Sequence, residues 1–417
     1  MTTTLPEDPA LPLLTEPPAD LRPGPFAMPG PWWRAAWRWV RATPLLPGLW
    51  FPLAVWAMWR VVSLGVTVWL GGKGVESAFS YDGAHYLRIV HHGYWDPRPV
   101  MGSQAFFPGV AWLATPVWWL TGSDAITAHT VATITGLGAF VAVWGATKEW
   151  VHERAARCAV VLMALFPSSL FLWMFYSEAL FIALGAGAVW ADRRGRHGLA
   201  AACLFGLATT RSVGILVPAV LVLARVMRAH RIDRWVLAYA GAGLAGLSSV
   251  LVMMQVQLGD PLAFLGVQKD WGRTISWPWT SVLQGIDNLT PERGTVMVPA
   301  LVARSFDLWA VGIVLVGGVY LMVAGRLGRA GRSAAHRFPM EAWMLGVAMI
   351  ALPLASSVLA SFNRFALADW VIFPAYAAML GRLPRWARVV AWPVIAGAGV
   401  LTAYALIGRI SVGRFVG

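Results

Sequence analysis

Long apolar runs separated by short arginine-rich breaks set the pattern of this chain from residue 48 onward. The runs are of bilayer length and do not alternate as strands do, which predicts a bundle of membrane-crossing helices. Eleven runs qualify, at about 48–70, 125–147, 158–175, 178–191, 198–210, 213–226, 235–256, 299–324, 340–360, 366–380 and 389–408. Those at 178–191, 198–210 and 213–226 are short and read as broken helices lining a cavity. One further run, 106–120, follows Phe106-Phe107-Pro108. As a helix it reaches only about 22 Å, short of a hydrocarbon core of roughly 30 Å, so it is expected to lie half inserted or along the interface.

Charge tests that layout. With a cytoplasmic amino terminus and a non-crossing 106–120 run, 21 of the 33 Lys and Arg residues fall on the inner side and 10 on the outer. A two-to-one inward bias is the expected sign. Letting 106–120 cross would put the later basic loops outside. Residues 1–31 hold nine prolines and four acids and are read as a disordered cytoplasmic tail. Arg34, Arg38 and Arg41 among Trp32, Trp33, Trp37 and Trp39 read as an interfacial stretch. The expected organisation is therefore a 1–47 tail and interfacial stretch, a 48–410 membrane domain and a short 411–417 tail.

Composition narrows the class. At 58% hydrophobic and 13% charged over 417 residues, the chain is not a soluble globular protein. The net charge of +13 then reports orientation in a bilayer, and no nucleic-acid partner is expected. Twenty-five tryptophans fit interfacial belts. Cys158 and Cys203 both fall in apolar runs and read as packing residues. There is no phosphate-loop lysine motif, dinucleotide glycine fingerprint or zinc-type Cys/His spacing.

Against that apolar background the polar groups stand out. The stretch Ser80–Trp95 contains one acid, Asp82, with His85, His91 and His92 close behind it and Tyr81, Tyr86, Tyr94 and Trp95 interleaved. Rings suit a sugar face or a lipid; a carboxylate suits removal of a hydroxyl proton. Glu178, Arg211 and Arg364 fall at outer span ends, and the 257–298 loop adds Lys269 and Arg273. Lys269 and Arg273 are four apart and would share a face on a helix. Arg60, inside the first span, should face the bundle or a wet cavity. Bland readings stay open: Asp82 as turn residue or ion pair, Glu178 as helix cap, the arginines as headgroup anchors, and His85 and His91 as ordinary loop polars. Adjacent His91 and His92 do not share a helical face, so joint metal binding is not expected.

The order SYDGAHYLRIVHHGYW, AFFPG, LFPSSLFLWMFYSEALF, TTRSVGIL, GDPLAFLGVQKDWGR and SFNRF, over roughly residues 50–380, resembles the PIG-V-type mannosyltransferases and their bacterial relatives, of the GT-C class of membrane glycosyltransferases. Tyr81 stands where the family often has tryptophan, and Phe365 where it often has tyrosine. The resemblance implies an all-α polytopic fold with outer-face interfacial helices. It implies inverting transfer of a hexose, mannose first, from a polyprenyl-phosphate donor to a hydroxyl on a glycolipid, glycan or protein outside the cytoplasm. Asp82 is then the general base and Glu178 a second site acid. His85, Tyr86, His91, Arg211, Lys269, Arg273 and Arg364 are the substrate and donor contacts. No cofactor is required, and a divalent cation stays open. The setting implied by the composition is a bacterial plasma membrane. Two rivals remain: a multi-span lipid or solute transporter without transferase activity, and a non-catalytic envelope-assembly subunit. Convergence of Asp82 with the arginines separates them.

Overall fold

The computed structural model describes residues 46–69, 80–95, 102–287, 289, 298–327 and 338–411. The proline-rich tail and the carboxy-terminal tail expected from the sequence lie outside them, apart from the residues at their inner ends. The chain divides after Leu49 into two units, and the second, Trp50–Gly417, holds the helical bundle.

All the regular elements among the described residues are helical. α1 (Leu46–Trp69) leads to α2 (Asp82–His92) and α3 (Gly109–Thr121). Next come α4 (Asp124–Trp150), α5 (Glu153–Leu165), α6 (Ser177–Arg193), α7 (His197–Ala208), α8 (Leu216–Ala229) and α9 (Arg234–Leu258). α10 (Ala263–Asp270) and α11 (Pro278–Asp287) are short, and α12 (Val298–Leu327) is long. α13 (Met340–Leu354), α14 (Phe362–Ala368), α15 (Ile372–Arg382) and α16 (Arg385–Ser411) complete the order.

Among the described residues, six stretches are long and apolar enough to cross a membrane: Gly48–Val66, Asp124–Trp150, Ser212–Ala229, Arg234–Leu258, Ser305–Ala324 and Arg385–Ile407. The protein is an all-helical, polytopic integral membrane protein. Several of the eleven expected runs are not single α-helices: the 213–226 run opens as the 3₁₀ turn Ser212–Ile215, and the 340–360 run leaves helix after Leu354. The 158–175 run stops at Leu165, because Pro167 lacks an N–H and disfavours helix before it; the chain goes on as a 3₁₀ segment, Pro167–Leu172. The 366–380 run is split between α14 and α15, where Asp369 leaves helical geometry at ψ 62°.

Small residues let the central helices approach closely. Ala139, Ala142 and Ala146 of α4 and Ala179, Ala186 and Ala188 of α6 are buried, and Trp144 meets Trp190 edge-on at 6.3 Å. At one end of the bundle an ionic lattice ties α6, α8, α9 and α13. Arg225 holds Asp233 at 2.7 Å and Asp192 at 3.2 Å, while Arg193 and Arg228 both reach the buried Glu341.

The opposite end carries α2 and α3. The apolar face of α2 (Tyr86, Leu87, Ile89, Val90) packs on Phe107, Val110, Ala111 and Ala114, and on Val250 and Met254 of α9. α3 has 13 residues, about 20 Å of helix, and is too short to cross. Its first residue has to be glycine. Gly109 N–H donates to Thr209 O at 2.8 Å, and a Cβ there would lie 2.6–2.9 Å from Thr209 atoms. That contact pins α3 to the turn that presents Arg211.

Candidate functional site

Four charged side chains from four places in the chain meet at the α2 end. Asp82 is the first residue of α2 and Glu178 the second of α6. Arg364 lies in the first turn of α14, and Arg211 just before a 3₁₀ turn, Ser212–Ile215. Arg364 Nη2 is 2.6 Å from Asp82 Oδ2 and 2.6 Å from Glu178 Oε1, and its Nε donates to Glu178 Oε1 at 2.7 Å. Arg211 Nη1 donates to the same Oε1 at 2.8 Å. Glu178 is fully buried, and Oε2 makes no hydrogen bond within the described residues. Two guanidinium groups on one carboxylate oxygen give a firmly ordered bridge.

The backbone is bent to make this bridge. Only three non-glycine residues among those described have positive φ, and two of them flank it: Tyr81 (φ 54°), just before Asp82, and Ser361 (φ 70°), three residues before Arg364. Such conformations cost about 1–3 kcal/mol and persist where surrounding structure imposes them. Asp307 of α12 holds the second bend, with Asn363 donating to its Oδ1 through N (2.8 Å) and Nδ2 (2.7 Å).

Aromatic rings line the cations. Arg364 sits over Phe171 and Tyr176, at 4.9 and 4.8 Å from the ring centroids, and Arg211 over Phe365 at 5.0 Å. Arg273 faces Phe365 from 5.9 Å and Trp271 from 5.8 Å. It donates to Gln268 Oε1 (3.4 Å) and Ala360 O (3.3 Å) and pairs with no carboxylate among the described residues. Burial, and then the positive charges of Arg364 and Arg211, push the Arg273 guanidinium down to about 10. One turn along α2 from Asp82, His85 stacks on Phe106 at 4.6 Å and bonds Ser103 Oγ at 2.9 Å. Burial holds His85 below the ordinary histidine range, opposed by the Asp82 charge and aided by Arg88. Tyr86 is buried between Phe106 and Phe175 and bonds the Ser177 side chain, beside Glu178.

Of the residues singled out from sequence, Asp82, Glu178, Arg211 and Arg364 come into direct contact. Arg273 joins them across Phe365, and His85 and Tyr86 adjoin them on α2. Two lie elsewhere. His91 bonds Asp124 Oδ1 at 2.8 Å and leans on Trp118, on the far part of α2. Lys269 is exposed, and it does not share a helical face with Arg273: α10 ends at Asp270, and Gly272, at φ 71°, turns the chain between them. Asp307, Asn363, Phe171 and Tyr176 were not anticipated. Asp307 had a signal available, as an acid within a membrane-length run.

Oriented carboxylates beside a cation without a carboxylate partner can hold an anion while accepting a proton from a neighbouring hydroxyl. Among the described residues, no three His, Cys, Asp or Glu side chains are placed to hold a metal ion.

No family model matches the chain, and no curated protein matches it. Solved structures do resemble its fold in outline. The apo oligosaccharyltransferase of Archaeoglobus fulgidus is 13% identical, with TM-score 0.49 over 88% of this chain and 56% of that one. The archaeal oligosaccharyltransferase AglB from Archaeoglobus fulgidus, in complex with an inhibitory peptide and a dolichol-phosphate, is 14% identical, with TM-score 0.48 over 86% and 56%. ArnT from Cupriavidus metallidurans bound to undecaprenyl phosphate is 15% identical, with TM-score 0.47 over 85% and 78%. The chain thus spans little more than half the length of the archaeal enzyme.

Proposed function

We propose that the protein is a membrane glycosyltransferase of GT-C type. It moves a hexose, mannose by the sequence resemblance, from a polyprenyl phosphate to a hydroxyl acceptor on the extracytoplasmic face of a bacterial plasma membrane. The observation that carries this is the Asp82–Arg364–Glu178–Arg211 bridge, with Arg273 beside it lacking a carboxylate partner among the described residues. In this reading Arg364 orients the Asp82 carboxylate through Oδ2, leaving Oδ1 to take the acceptor proton. The acceptor oxygen attacks the anomeric carbon, the bond from that carbon to the phosphate oxygen breaks, and the configuration inverts. The electron pair leaves with the polyprenyl phosphate, whose growing charge Arg273 and Arg211 stabilise. Glu178 holds Arg364 and Arg211 in place. The donor and acceptor are the only partners this reaction requires.

The transporter reading draws on Arg60. Within its span it bonds Trp173 O (3.0 Å), Thr133 Oγ1 (3.3 Å) and His129 Nδ1 (3.4 Å). An intramembrane cation of that kind marks many transport paths. The main charge cluster, however, sits at helix ends, where chemistry on a membrane-surface substrate would need it.

The deciding measurement is transfer of labelled hexose from a polyprenyl-phosphate hexose in proteoliposomes supplied with bacterial lipid extract. The expectation for Asp82→Asn is a loss of about a hundredfold or more. Undiminished turnover by that variant removes Asp82 as base. Solute or lipid translocation by the wild type, with no transfer from any such donor, establishes the transporter instead.

A further inference from the structure

Between Arg273 and Asp287 the chain carries no charged residue. This strap is tied at its start to the end of α13. Thr274 N donates to Ser357 Oγ (3.1 Å), Ser357 N to Thr274 O (2.9 Å) and Ser276 N to Ala355 O (2.7 Å). α11 then shows two opposite faces. Ser281 and Gly285, four apart, are buried; Ser281 Oγ donates to Leu354 O at 3.3 Å, and Gly285 lies against Leu359 and Leu308. Trp279, Leu283 and Ile286, at i, i+4 and i+7, point away from the protein and are 58%, 56% and 49% exposed. Ahead of them Ile275 is 94% and Trp277 68% exposed, and the rings of Trp277 and Trp279 stack at 5.0 Å and 7°.

The element under this helix points to what covers its outer face. The buried face, at Gly285, rests on Leu308 of the membrane-crossing stretch Ser305–Ala324, where the next residue, Trp309, is exposed. α11 therefore lies against the end of a membrane-crossing stretch, with its apolar side turned outward. Five large apolar side chains exposed on one short segment, Ile275, Trp277, Trp279, Leu283 and Ile286, are unfavourable in water. An uncharged amphipathic helix with paired tryptophans belongs at the headgroup–acyl boundary, where indoles are enriched.

We infer that α11 and the turn from Ile275 to Trp279 are seated in the bilayer leaflet at the Asp82 end of the bundle, with lipid as their occupant. The consequence reaches the site. Arg273 lies two residues before Ile275, so the bilayer holds from outside the segment that delivers Arg273 to Phe365 and Ala360. This inference is independent of the proposed reaction, and its test needs no turnover.

The test places an environment-sensitive NBD label at Leu283→Cys in a Cys158→Ser/Cys203→Ser background, in vesicles of phosphatidylcholine and phosphatidylglycerol. A label at Asp270→Cys, at the end of α10, serves as the water-facing reference. The expected result is strong quenching at 283 by lipids carrying a nitroxide high on the acyl chain, with aqueous iodide quenching severalfold weaker than at 270. Iodide quenching equal to that at 270 overturns the inference. So does protection from both quenchers, which would mean a protein covers the face. Should the cysteine-free background not fold, Trp277→Ser/Trp279→Ser in the otherwise native chain is compared with the parent for tryptophan quenching by brominated lipid. A loss of quenchable emission is expected, and no change overturns the inference.

Discussion

Arg364 Nη2 lies 2.6 Å from Asp82 Oδ2, joining side chains 282 residues apart in sequence. The same guanidinium holds Glu178, 186 residues away. One side chain in α14 thus fixes the starts of both α2 and α6, and the site exists only when all three helices are packed.

Replacing Arg364 tests that dependence. Arg364→Ala leaves Asp82 without its ion-pair partner and takes from the fully buried Glu178 one of its two cations. Breaking a buried pair in this way costs about 3–5 kcal/mol. Arg364→Lys keeps the charge but not the planar fork, so it recovers only part. Thermal unfolding in detergent should order the midpoints as parent, lysine, alanine. An alanine variant that melts with the parent contradicts the bridge.

Arg273 should behave in the opposite way. It pairs with no carboxylate among the described residues, and burial disfavours its charge, so Arg273→Ala is not expected to lower stability. Retention of undecaprenyl phosphate, read by native mass spectrometry, should fall about tenfold. Equal loss of stability and binding would assign Arg273 a structural role.

The same residue sets a pH dependence. Arg273 is held at about 10 in the folded protein, well below its ordinary value, chiefly by burial. Between those values the unfolded chain binds more protons, so this group makes stability rise with pH through that window. Its grip on an anion moves the other way and weakens as pH passes about 10. Lipid-phosphate retention should therefore fall between about pH 9 and 11 in the parent, with a shallower fall in Arg273→Ala.

Ser361→Gly should relieve the φ of 70° beside the bridge and raise stability by roughly 1 kcal/mol, with Ser361→Ala giving no such gain. The unfolding midpoint is the measurement, and a destabilised glycine variant would show that the serine side chain itself holds the turn.

Gly109→Ala places a methyl 2.6–2.9 Å from Thr209. Overpacking of this kind costs about 1–3 kcal/mol. Because Thr209 leads into Arg211, Gly109→Ala should also weaken lipid-phosphate retention. Unchanged retention in a destabilised variant would confine Gly109 to packing.

Helix and membrane character were legible because they are local: hydropathy over a span and a period of 3.6 residues belong to neighbouring positions. The same locality explains the misses. Spacing alone put Lys269 and Arg273 on one helical face, yet a glycine at positive φ separates them. Hydropathy alone carried a single helix through Pro167 and through Asp369, where backbone chemistry breaks it.

Linear order was enough to put this chain in a membrane as helices and to gather its acids and arginines near helix ends. It took the packed bundle to give Asp82 and Glu178 a shared Arg364, to set Arg273 apart from the described carboxylates, and to turn His91 away to Asp124. Ion-pair partners are chosen by distances of a few ångströms between segments 33 residues apart, as for His91 and Asp124, or as many as 282, as for Asp82 and Arg364. Those distances are set by how Gly109, the central alanines and the bends at Tyr81 and Ser361 let the helices close, which no linear pattern encodes.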